Sequence, residues 1–223
     1  MMVVSYKQKS NIICIYADQV IDRNFFNVYI LSLSLILIKQ DMYMSTFSTS
    51  IAEQIWNMKY QLKDADGNPV ELTVQDSWRR VAKALSEVWK FSADDKLLHI
   101  LPIYHTHGLF VATNIVLFSG ASMFFLEKFD TEMVLSLMPK ATTLMGVPTY
   151  YSRLLETSKL SKELTKGLRL VISGSAPLTK ELSDWFFEKT GKRILERYGM
   201  TETNMISSNP YTGNRKSGTV GFP

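Results

Sequence analysis

The sequence predicts an α/β protein in which a layered parallel sheet carries helices on both faces. Between residues 96 and 198, short apolar runs alternate with amphipathic segments of about 10 to 12 residues, which is typical of successive β-α-β units. Turn-forming residues such as Gly120, Pro148 and Gly191 separate these segments. Because ligands of such sheets bind at the carboxyl ends of the strands, the same pattern predicts where a functional site lies.

The composition fits a folded chain and excludes several functional classes. The 223 residues are 46% hydrophobic, enough for one sizeable core, and 21% charged, which is not a disordered composition. The net charge is +4, but lysines and arginines are scattered along the chain, so no nucleic-acid partner is predicted. Cys14 is the one cysteine, which excludes an internal disulfide and a cysteine-rich zinc cluster and favours a reducing, cytoplasmic compartment.

Residues 1–80 are an extension that we assign to no domain and predict to be irregular or non-native. An apolar stretch runs from Phe25 to Ile38 and is shorter than the roughly 20 residues that cross a bilayer as a helix. Three interpretations of it stay open. It is a buried strand or helix, a segment that anchors the chain at a membrane, or sequence from a mistranslated gene start.

Two helices and a turn are predicted before residue 96. Residues 51–60 follow Ser50, which we expect to be the N-cap, with Glu53 completing a capping box. The dipeptides Asp-Gly and Asn-Pro predict a turn at residues 64–69. In residues 73–91 the apolar side chains recur at spacings of three and four, which predicts an amphipathic helix.

From residue 96 onward, strands and helices are predicted to alternate. Apolar runs predict strands at residues 97–103, 121–126, 142–147, 169–173 and 193–196. Apolar residues at helical spacing predict helices at residues 109–118, 131–138, 148–157 and 179–190. Asp130 or Thr131 is the expected N-cap of the second of these helices, and Pro148 suits the first turn of the third.

Three polar segments follow predicted strands and are expected to meet at one edge of the sheet. They cover residues 104–108, 173–177 and 198–202. In the last segment Tyr198 offers a flat ring, Thr201 a hydroxyl and Glu202 a carboxylate, which together suit a nucleotide with its magnesium ion. The alternative for this segment alone is an ordinary polar turn. The two histidines of the first segment are too few for a metal site without a distant carboxylate.

Two arginines are candidates for pairing with an acidic substrate. Arg153 lies in a predicted helix and Arg169 at the start of a predicted strand. The alternative is a solvated helix face for Arg153 and an ordinary strand-start charge for Arg169. The sequence does not choose between the two residues.

Four segments resemble sequences of the adenylate-forming acyl-CoA synthetases, the AMP-binding superfamily. Within this superfamily they are most similar to the malonyl-CoA synthetases. They are LHILPIYHTHGLF (98–110), MGVPTYY (145–151), VISGSAPL (171–178) and ERYGMTET (196–203). The likeness runs from about Val81 to Pro223, so residues 81–223 are predicted to be part of the large N-terminal adenylation domain. The C-terminal subdomain is expected to lie outside the chain.

The resemblance implies a two-step ligase of fatty acid metabolism. A carboxylate attacks the α-phosphorus of ATP to give an acyl-adenylate and pyrophosphate, and the thiolate of coenzyme A then displaces AMP. The resemblance assigns the catalytic roles to His105, between the acyl carboxylate and the phosphate, to Thr201 at the α-phosphate, and to Glu202 as the Mg²⁺ ligand. It also implies a nucleotide-binding set: Gly174, Ser175, Ala176, Pro177, Tyr198, Gly199 and Thr201.

The resemblance further implies a small acyl pocket that holds malonate, methylmalonate or another short-chain acid. Its expected lining is His105, Thr106, Ser175 and Met200, with Arg153 or Arg169 supplying a cation for the second carboxylate of a dianion.

Some parts of the family pattern are expected to be missing. No Ser/Thr/Gly-rich phosphate loop ending in Pro-Lys-Gly precedes residue 105, since Gly67 is the only glycine before Gly108. The adenylation lysine of the C-terminal subdomain is not present either. The chain is therefore interpreted as a fragment of an acid–CoA ligase that is inactive alone. The alternatives are a non-catalytic truncated product and a membrane-tethered interaction protein.

Overall fold

The computed structural model describes residues 2–9, 12–18, 47 and 49–223. The strands are β1 (Met2–Lys9), β2 (Ile12–Asp18), β3 (Lys96–His99), β4 (Ser122–Phe125), β5 (Thr143–Gly146), β6 (Leu170–Ser173), β7 (Ile194–Tyr198) and β8 (Ser207–Ser208). The apolar stretch at residues 25–38 lies outside the described residues, so its three interpretations stay predictions.

The α-helices lie between the strands, as the alternation of the sequence predicts. They are α1 (Ser50–Lys59), α2 (Val74–Val88), α3 (Asn114–Ser119), α4 (Thr131–Leu137), α5 (Pro148–Leu155) and α6 (Lys180–Thr190). A π-helix (His107–Thr113) leads into α3, and a short 3-10 helix (Met138–Lys140) follows α4. Within the described ranges, no helix is long and apolar enough to cross a membrane.

A mostly parallel sheet forms the centre of the fold. Its strand order is β2-β1-β4-β3-β5-β6-β7-β8. The five strands from β4 to β7 in this order are parallel, while β1 pairs antiparallel with β4 and β8 pairs antiparallel with β7 at the two sides. The predicted α/β class is confirmed.

Apolar side chains cover both faces of the sheet because neighbouring residues of a strand point to opposite sides. On one face, strand residues pack with the side chains of α2, the π-helix and α3: Leu97, Met123, Met145, Ile172 and Leu195. On the other face, strand residues pack with those of α4, α5 and α6: Leu98, Phe124, Leu144, Val171 and Ile194. Helices therefore lie on both faces, as predicted.

The connections change direction next to β3. The π-helix and α3 connect β3 to β4 on one face, whereas α4 connects β4 to β5 on the other face, and β5 lies on the far side of β3. The loops that follow β3 and β5 consequently leave the sheet towards opposite faces. Such a switch point opens a crevice at the carboxyl ends of the strands, which is where α/β sheets bind ligands.

The first helix begins differently from its prediction. The side chain of Thr49 accepts a hydrogen bond from the backbone N–H of Ala52, so Thr49 is the N-cap and Ser50 is the first helical residue. The prediction of Ser50 as the cap, with its capping box to Glu53, was wrong by one position. Two adjacent hydroxyl residues make this ambiguity unavoidable from sequence. Helix α2 does begin with a capping box, formed by Thr73 and Asp76.

Two elements near the carboxyl edge differ from the sequence prediction. The predicted helix at residues 109–118 begins at His107 and has π geometry for its first seven residues. Strand β7 continues to Tyr198, two residues beyond its predicted end at Glu196. The longer strand places Arg197 inside the sheet rather than in the following turn, and this change affects the functional site directly.

Candidate active site

A cavity of about 520 Å³ opens at the carboxyl edge of the sheet, at the switch point beside β3 and β5. All three polar segments identified in the sequence contribute to its lining. The predicted site residues that line it are His105, Thr106, Ser175, Gly199, Met200, Thr201 and Glu202. The structure thus brings together side chains that are up to 97 positions apart in the chain, His105 and Glu202.

The three polar segments form the loops of the cavity: residues 104–108 are the first loop, 173–177 the second and 198–202 the third. The first and third loops contact each other through two threonines. Thr106 donates a hydrogen bond from its hydroxyl to the hydroxyl of Thr201 at 3.3 Å. His105 is exposed beside them, and its ring lies 4.7 Å from that of Tyr104. The imidazole of His105 and the O–H of Thr201, which this bond does not use, can therefore donate hydrogen bonds to an anion held at the opening.

The π-helix after this loop is held by two hydrogen bonds to one backbone carbonyl. The carbonyl oxygen of Gly108 accepts a bond from Nε2 of the buried His99 at 3.0 Å and another from the hydroxyl of Thr113 at 2.9 Å. Position 108 must be glycine, because a Cβ there would overlap the backbone carbonyl of Pro102. Burial lowers the pKa of His99 to about 4, so its ring is neutral at pH 7.

His107 connects the π-helix to the second loop of the cavity. Its Nδ1 lies 3.1 Å from the Oγ of Ser175, whereas its Nε2 is buried without a partner in the described part of the chain. Burial, followed by the nearby charge of Arg197, holds the pKa of His107 well below its usual range. Ser175 has a positive φ of 67°, which is uncommon for a residue with a side chain.

Arg197 contributes a cation to the cavity lining. Its side chain comes from β7, lines the cavity and is only 4% exposed. Both Nε and Nη2 lack a hydrogen-bond partner among the described residues. Burial lowers the pKa of this guanidinium to about 10, which leaves it charged at pH 7. A buried guanidinium with unused donors is costly, and an anionic ligand in the cavity would satisfy it.

The second loop passes directly over this arginine. A Cβ at Gly174 would collide with the guanidinium of Arg197, so the absence of a side chain lets the loop lie against it. The loop is fixed at its far end by Glu196, whose Oε1 accepts a hydrogen bond from the backbone N–H of Leu178 at 3.2 Å. Burial raises the pKa of the Glu196 carboxyl, while that N–H opposes the rise.

The remaining predicted nucleotide-binding residues do not line the cavity but lie close to it in the chain. Ala176 and Tyr198 are exposed and adjoin residues that line it, Pro177 is exposed one position further on, and Gly174 is buried just before Ser175. The Tyr198 hydroxyl lies 3.7 Å from the sulfur of Met200. An exposed aromatic ring beside an exposed small-residue loop offers two flat surfaces at the cavity mouth.

Glu202 is the residue whose chemistry fits Mg²⁺. It is exposed on the cavity lining, next to the hydroxyl of Thr201. Across the described ranges there is no group of three His, Cys, Asp or Glu side chains that could hold a metal alone. A single carboxylate is nevertheless enough from the protein side, because Mg²⁺ is commonly held by one or two carboxylates together with substrate phosphates and water.

The structure does not bring the two predicted arginines to the cavity. Arg169 stands just before β6, at the opposite edge of the sheet, where its Nη2 and Nε bond both carboxylate oxygens of Asp95 at 2.5 Å and 2.7 Å. Arg153 is exposed on α5, with its guanidinium 5.8 Å from the ring of Phe129. Neither arginine lines the cavity, whose lining contains Arg197 instead. The pairing of Arg153 or Arg169 with an acidic substrate stays a prediction that this placement does not favour.

Sequence reasoning missed Arg197 and His107 as site residues. Both lie inside the quoted motifs, but the predicted strand ends at Glu196, and His107 is considered only together with His105 as a possible metal ligand. A charged residue at the carboxyl end of an otherwise apolar strand was the available signal for Arg197. No signal in the sequence revealed that His107 would be buried and His105 exposed.

A parallel α/β sheet with a cavity at its switch point has the arrangement in which α/β proteins commonly bind ligands, nucleotides among them. Residues 57–223 match the family model described as AMP-binding enzyme, and the chain belongs to this family of adenylate-forming enzymes. It is 36% identical over 161 residues to a malonate–CoA ligase of Arabidopsis thaliana, which covers 63% of this chain and 26% of that protein.

Solved structures of similar proteins agree with this assignment. ATP-bound MatB from Rhodopseudomonas palustris superimposes with a TM-score of 0.64 and 54% identity, over 65% of this chain and 29% of MatB. A malonyl-CoA ligase in complex with methylmalonyl-CoA and AMP gives a TM-score of 0.61 and 38% identity, over 66% of this chain and 33% of the ligase. The chain thus spans about a quarter to a third of the length of these relatives.

Proposed function

We propose that this chain carries the acid-binding and nucleotide-binding edge of an ATP-dependent acid–CoA ligase whose acid is malonate. The observation that carries the proposal is the buried guanidinium of Arg197, whose Nε and Nη2 have no partner among the described residues, in a cavity that His105 and Thr201 also line. Malonate has one carboxylate to react and a second that needs a cation. The names of the similar proteins, which include malonate–CoA ligases, support the same acid.

The size and lining of the cavity favour a short acid. The lining includes Thr106, Ser175 and Met200. The cavity volume of about 520 Å³ lies in the lower half of the range of small-molecule sites. Methylmalonate is the second candidate, because one added methyl group is a small change in such a pocket and changes binding by only about 1–3 kcal/mol. A fatty acid would leave Arg197 facing an alkyl chain, which is unfavourable for a buried charge.

The nucleotide is proposed to bind across the cavity mouth. Tyr198 and the loop of Gly174, Ser175, Ala176 and Pro177 would enclose the adenine ring, with Gly199 allowing close approach of the backbone. Thr201 would donate a hydrogen bond to the α-phosphate, and Glu202 would hold Mg²⁺ together with the phosphates. Bound Mg²⁺ supplies charge neutralisation at the phosphates.

The reacting carboxylate is proposed to lie between Arg197 and the phosphate. Arg197 would fix the other end of the acid, which orients the reacting carboxylate towards the mouth of the cavity. His105 and Thr201 stand at that mouth and would donate hydrogen bonds to the oxygens on which negative charge gathers in the transition state. Coenzyme A is proposed as the second substrate, accepting the acyl group from the adenylate.

These 223 residues are proposed to bind ligands without completing the reaction. The only glycine before Gly108 is Gly67, and it lies in a tight turn in which the carboxylate of Asp64 accepts hydrogen bonds from the N–H groups of Asp66 and Asn68. That turn is filled by its own carboxylate and offers no cradle for the β- and γ-phosphates. We therefore expect ligand binding from the chain and no ligase turnover.

Calorimetric titration of the purified chain tests the proposal. With AMP and Mg²⁺ present, malonate and methylmalonate are expected to bind, whereas acetate, which lacks the second carboxylate, binds at least about tenfold more weakly because it leaves Arg197 unpaired. Equal binding of acetate and malonate, or tighter binding of octanoate, would show that the acid is not a short dicarboxylate.

A graft separates ligand choice from catalytic competence. Residues 96–208 of this chain, which run from β3 to β8, replace the corresponding segment of the Arabidopsis thaliana malonate–CoA ligase. The graft is expected to release pyrophosphate with malonate, ATP and coenzyme A, whereas the chain alone is expected to release none. Pyrophosphate release by the chain alone would contradict the second expectation and leave the first intact.

A further inference from the structure

We propose that His107 is a positioning residue, which holds the second loop of the cavity through Ser175, and that His99 in turn holds the π-helix that carries His107. This inference rests on the proposed function, because the loop it positions is the one proposed to enclose the adenine ring. Neither histidine has a role in the reaction as proposed above. Both are buried, at 0% exposure for His99 and 5% for His107.

The backbone of Ser175 is the part that needs holding. Its φ of 67° is a left-handed conformation that residues with a side chain adopt reluctantly, and the residue is exposed. In the described part of the chain, the hydrogen-bond partner of its hydroxyl is Nδ1 of His107 at 3.1 Å. The bond from a buried ring to an exposed loop residue therefore fixes the loop in this conformation.

The neutrality of His107 suits this role. Burial and the charge of Arg197 keep the ring uncharged, and a neutral imidazole has one donor and one acceptor nitrogen. Nδ1 bonds Ser175 in either tautomer, because a hydroxyl both donates and accepts. A protonated ring would place a second buried cation beside Arg197, so neutrality lets the two side chains share one wall of the cavity.

The π-helix places the ring of His107 within hydrogen-bond distance of Ser175, and His99 holds the π-helix through a hydrogen bond. The Gly108 carbonyl can only accept, so the His99 Nε2 that lies 3.0 Å from it carries the proton of the neutral ring. The same carbonyl also accepts the hydroxyl of Thr113. The residue after His107 is therefore tied to the end of β3, and the order of positioning runs from His99 through His107 to Ser175.

Nitrogen-15 imidazole spectra of the full chain test the contact directly, because the protein has only three histidines. Ser175→Ala and Ser175→Gly both remove the hydroxyl, and the glycine variant also tolerates the left-handed backbone. Both are expected to shift the His107 ring nitrogens while the signals of His105 and His99 stay in place. Unchanged His107 signals in both variants would overturn the proposal.

Affinity for AMP tests the consequence. His107→Leu is expected to weaken AMP binding about tenfold, whereas His107→Asn, whose amide can occupy the Nδ1 position, is expected to keep the affinity within about threefold of the unmodified chain. Equal losses in the two variants would show that ring shape rather than the hydrogen bond matters, and no loss in either would show that the loop needs no support. Both results overturn the positioning role.

The two arms distinguish this proposal from the proposed function. If the unmodified chain binds no AMP, the proposed function fails, while the dependence of the His107 signals on Ser175 still decides whether the histidine positions the loop. If the Leu variant does not fold, the serine variants decide the question, because position 175 is exposed and its substitution leaves the core intact.

Discussion

At the scale of single residues, Arg169 and Arg197 carry the same guanidinium in opposite surroundings. Arg169 bonds both oxygens of Asp95 and donates to the carbonyls of Trp89 and Lys90, so its donors are used within the chain. Arg197 is more deeply buried and has two nitrogens without partners among the described residues. The difference indicates a structural role for Arg169 and supports the ligand-binding role that we propose for Arg197.

Replacement of Arg197 is expected to stabilise the protein and to remove malonate binding. Arg197→Met removes a buried charge that lacks a partner, so the free energy of unfolding should rise by about 1 kcal/mol in chemical denaturation. Calorimetry should show malonate affinity reduced by more than about tenfold. Arg193→Met is the matched control, because Arg193 pairs with Asp184 outside the cavity and its loss should leave malonate affinity unchanged.

Stability is expected to depend on pH through His99. Its pKa is about 4 in the folded chain against a usual value of 6.5, so between these pH values the unfolded chain binds more protons. Its contribution is therefore fully present above pH 6.5 and is lost as the pH falls towards 4. The loss is about 1.4 kcal/mol per pH unit at its steepest.

The matched variant is His99→Gln, whose amide can still donate to the Gly108 carbonyl but does not titrate. Denaturation curves between pH 7 and pH 4.5 should show a shallower decline in the free energy of unfolding for the variant. Parallel declines in the two proteins would mean that His99 is not the group responsible.

At the scale of elements, the π-helix and the end of β7 decide the geometry of the site. An α-helix from Leu109, as the spacing predicted, would not carry His107 into the cavity wall in the same way. The π-helix depends on close contact between Gly108 and Pro102 and on the bond from His99. A π-helix beside a cavity agrees with the frequent occurrence of this element at functional sites.

Gly108→Ala is expected to disrupt the π-helix. The added Cβ overlaps backbone atoms of Pro102, which cannot move away as a side chain could, so we expect a loss of about 3 kcal/mol in the free energy of unfolding. Leu109→Ala at the neighbouring exposed position should cost less than about 1 kcal/mol. A nearly neutral Gly108→Ala variant would show that the loop can relax.

The start of α1 gives a further test at the element scale. Thr49→Ala removes the hydroxyl that accepts the N–H of Ala52, and we expect a loss of about 1 kcal/mol in the free energy of unfolding. Ser50→Ala should change it by less than about 0.5 kcal/mol. The opposite order of effects in urea denaturation would restore Ser50 as the cap.

At the scale of the whole molecule, the pair of Arg169 and Asp95 joins the segment after α2 to the sheet. The guanidinium lies near the rings of Phe91 and Tyr211, so one side chain connects three parts of the chain. Burial alone would raise the pKa of the Asp95 carboxyl, but its hydrogen bonds, first of all to Arg169, lower it. Helix α2 crosses the proposed domain boundary at residue 80 and packs on the same core, so we propose that the folded unit includes it.

Arg169→Met is expected to destabilise the fold without affecting the acid site. Asp95 would be left buried without its cation, which should lower the free energy of unfolding by about 3 kcal/mol. Asp95→Asn combined with Arg169→Met should recover part of the loss. Malonate affinity, measured well below the unfolding temperature, should stay within about twofold of the original, and a larger loss would return Arg169 to the acid-binding role.

Much of the fold could be predicted because periodicity and capping are local properties. The five parallel strands and four of the helices lie within a few residues of their predicted positions. Gly120 and Gly191 end helices and Pro148 begins one, and these local signals depend little on the tertiary structure. The prediction that the polar segments meet at the carboxyl edge of the sheet depended only on the parallel direction of the strands. The predicted roles of the site residues stay predictions, although the structure places seven of them on one cavity.

The sequence by itself determined the α/β class, the carboxyl edge as the place of the site, and the family to which the chain belongs, because these depend on residue order and spacing. Only the tertiary structure decided that Arg197 rather than Arg153 or Arg169 faces the cavity, and that His107 is buried while His105 is exposed. Those facts depend on burial and on partners distant in the chain. Arg197 can offer Nε and Nη2 to a ligand because the folded chain leaves these two atoms without a partner among the described residues.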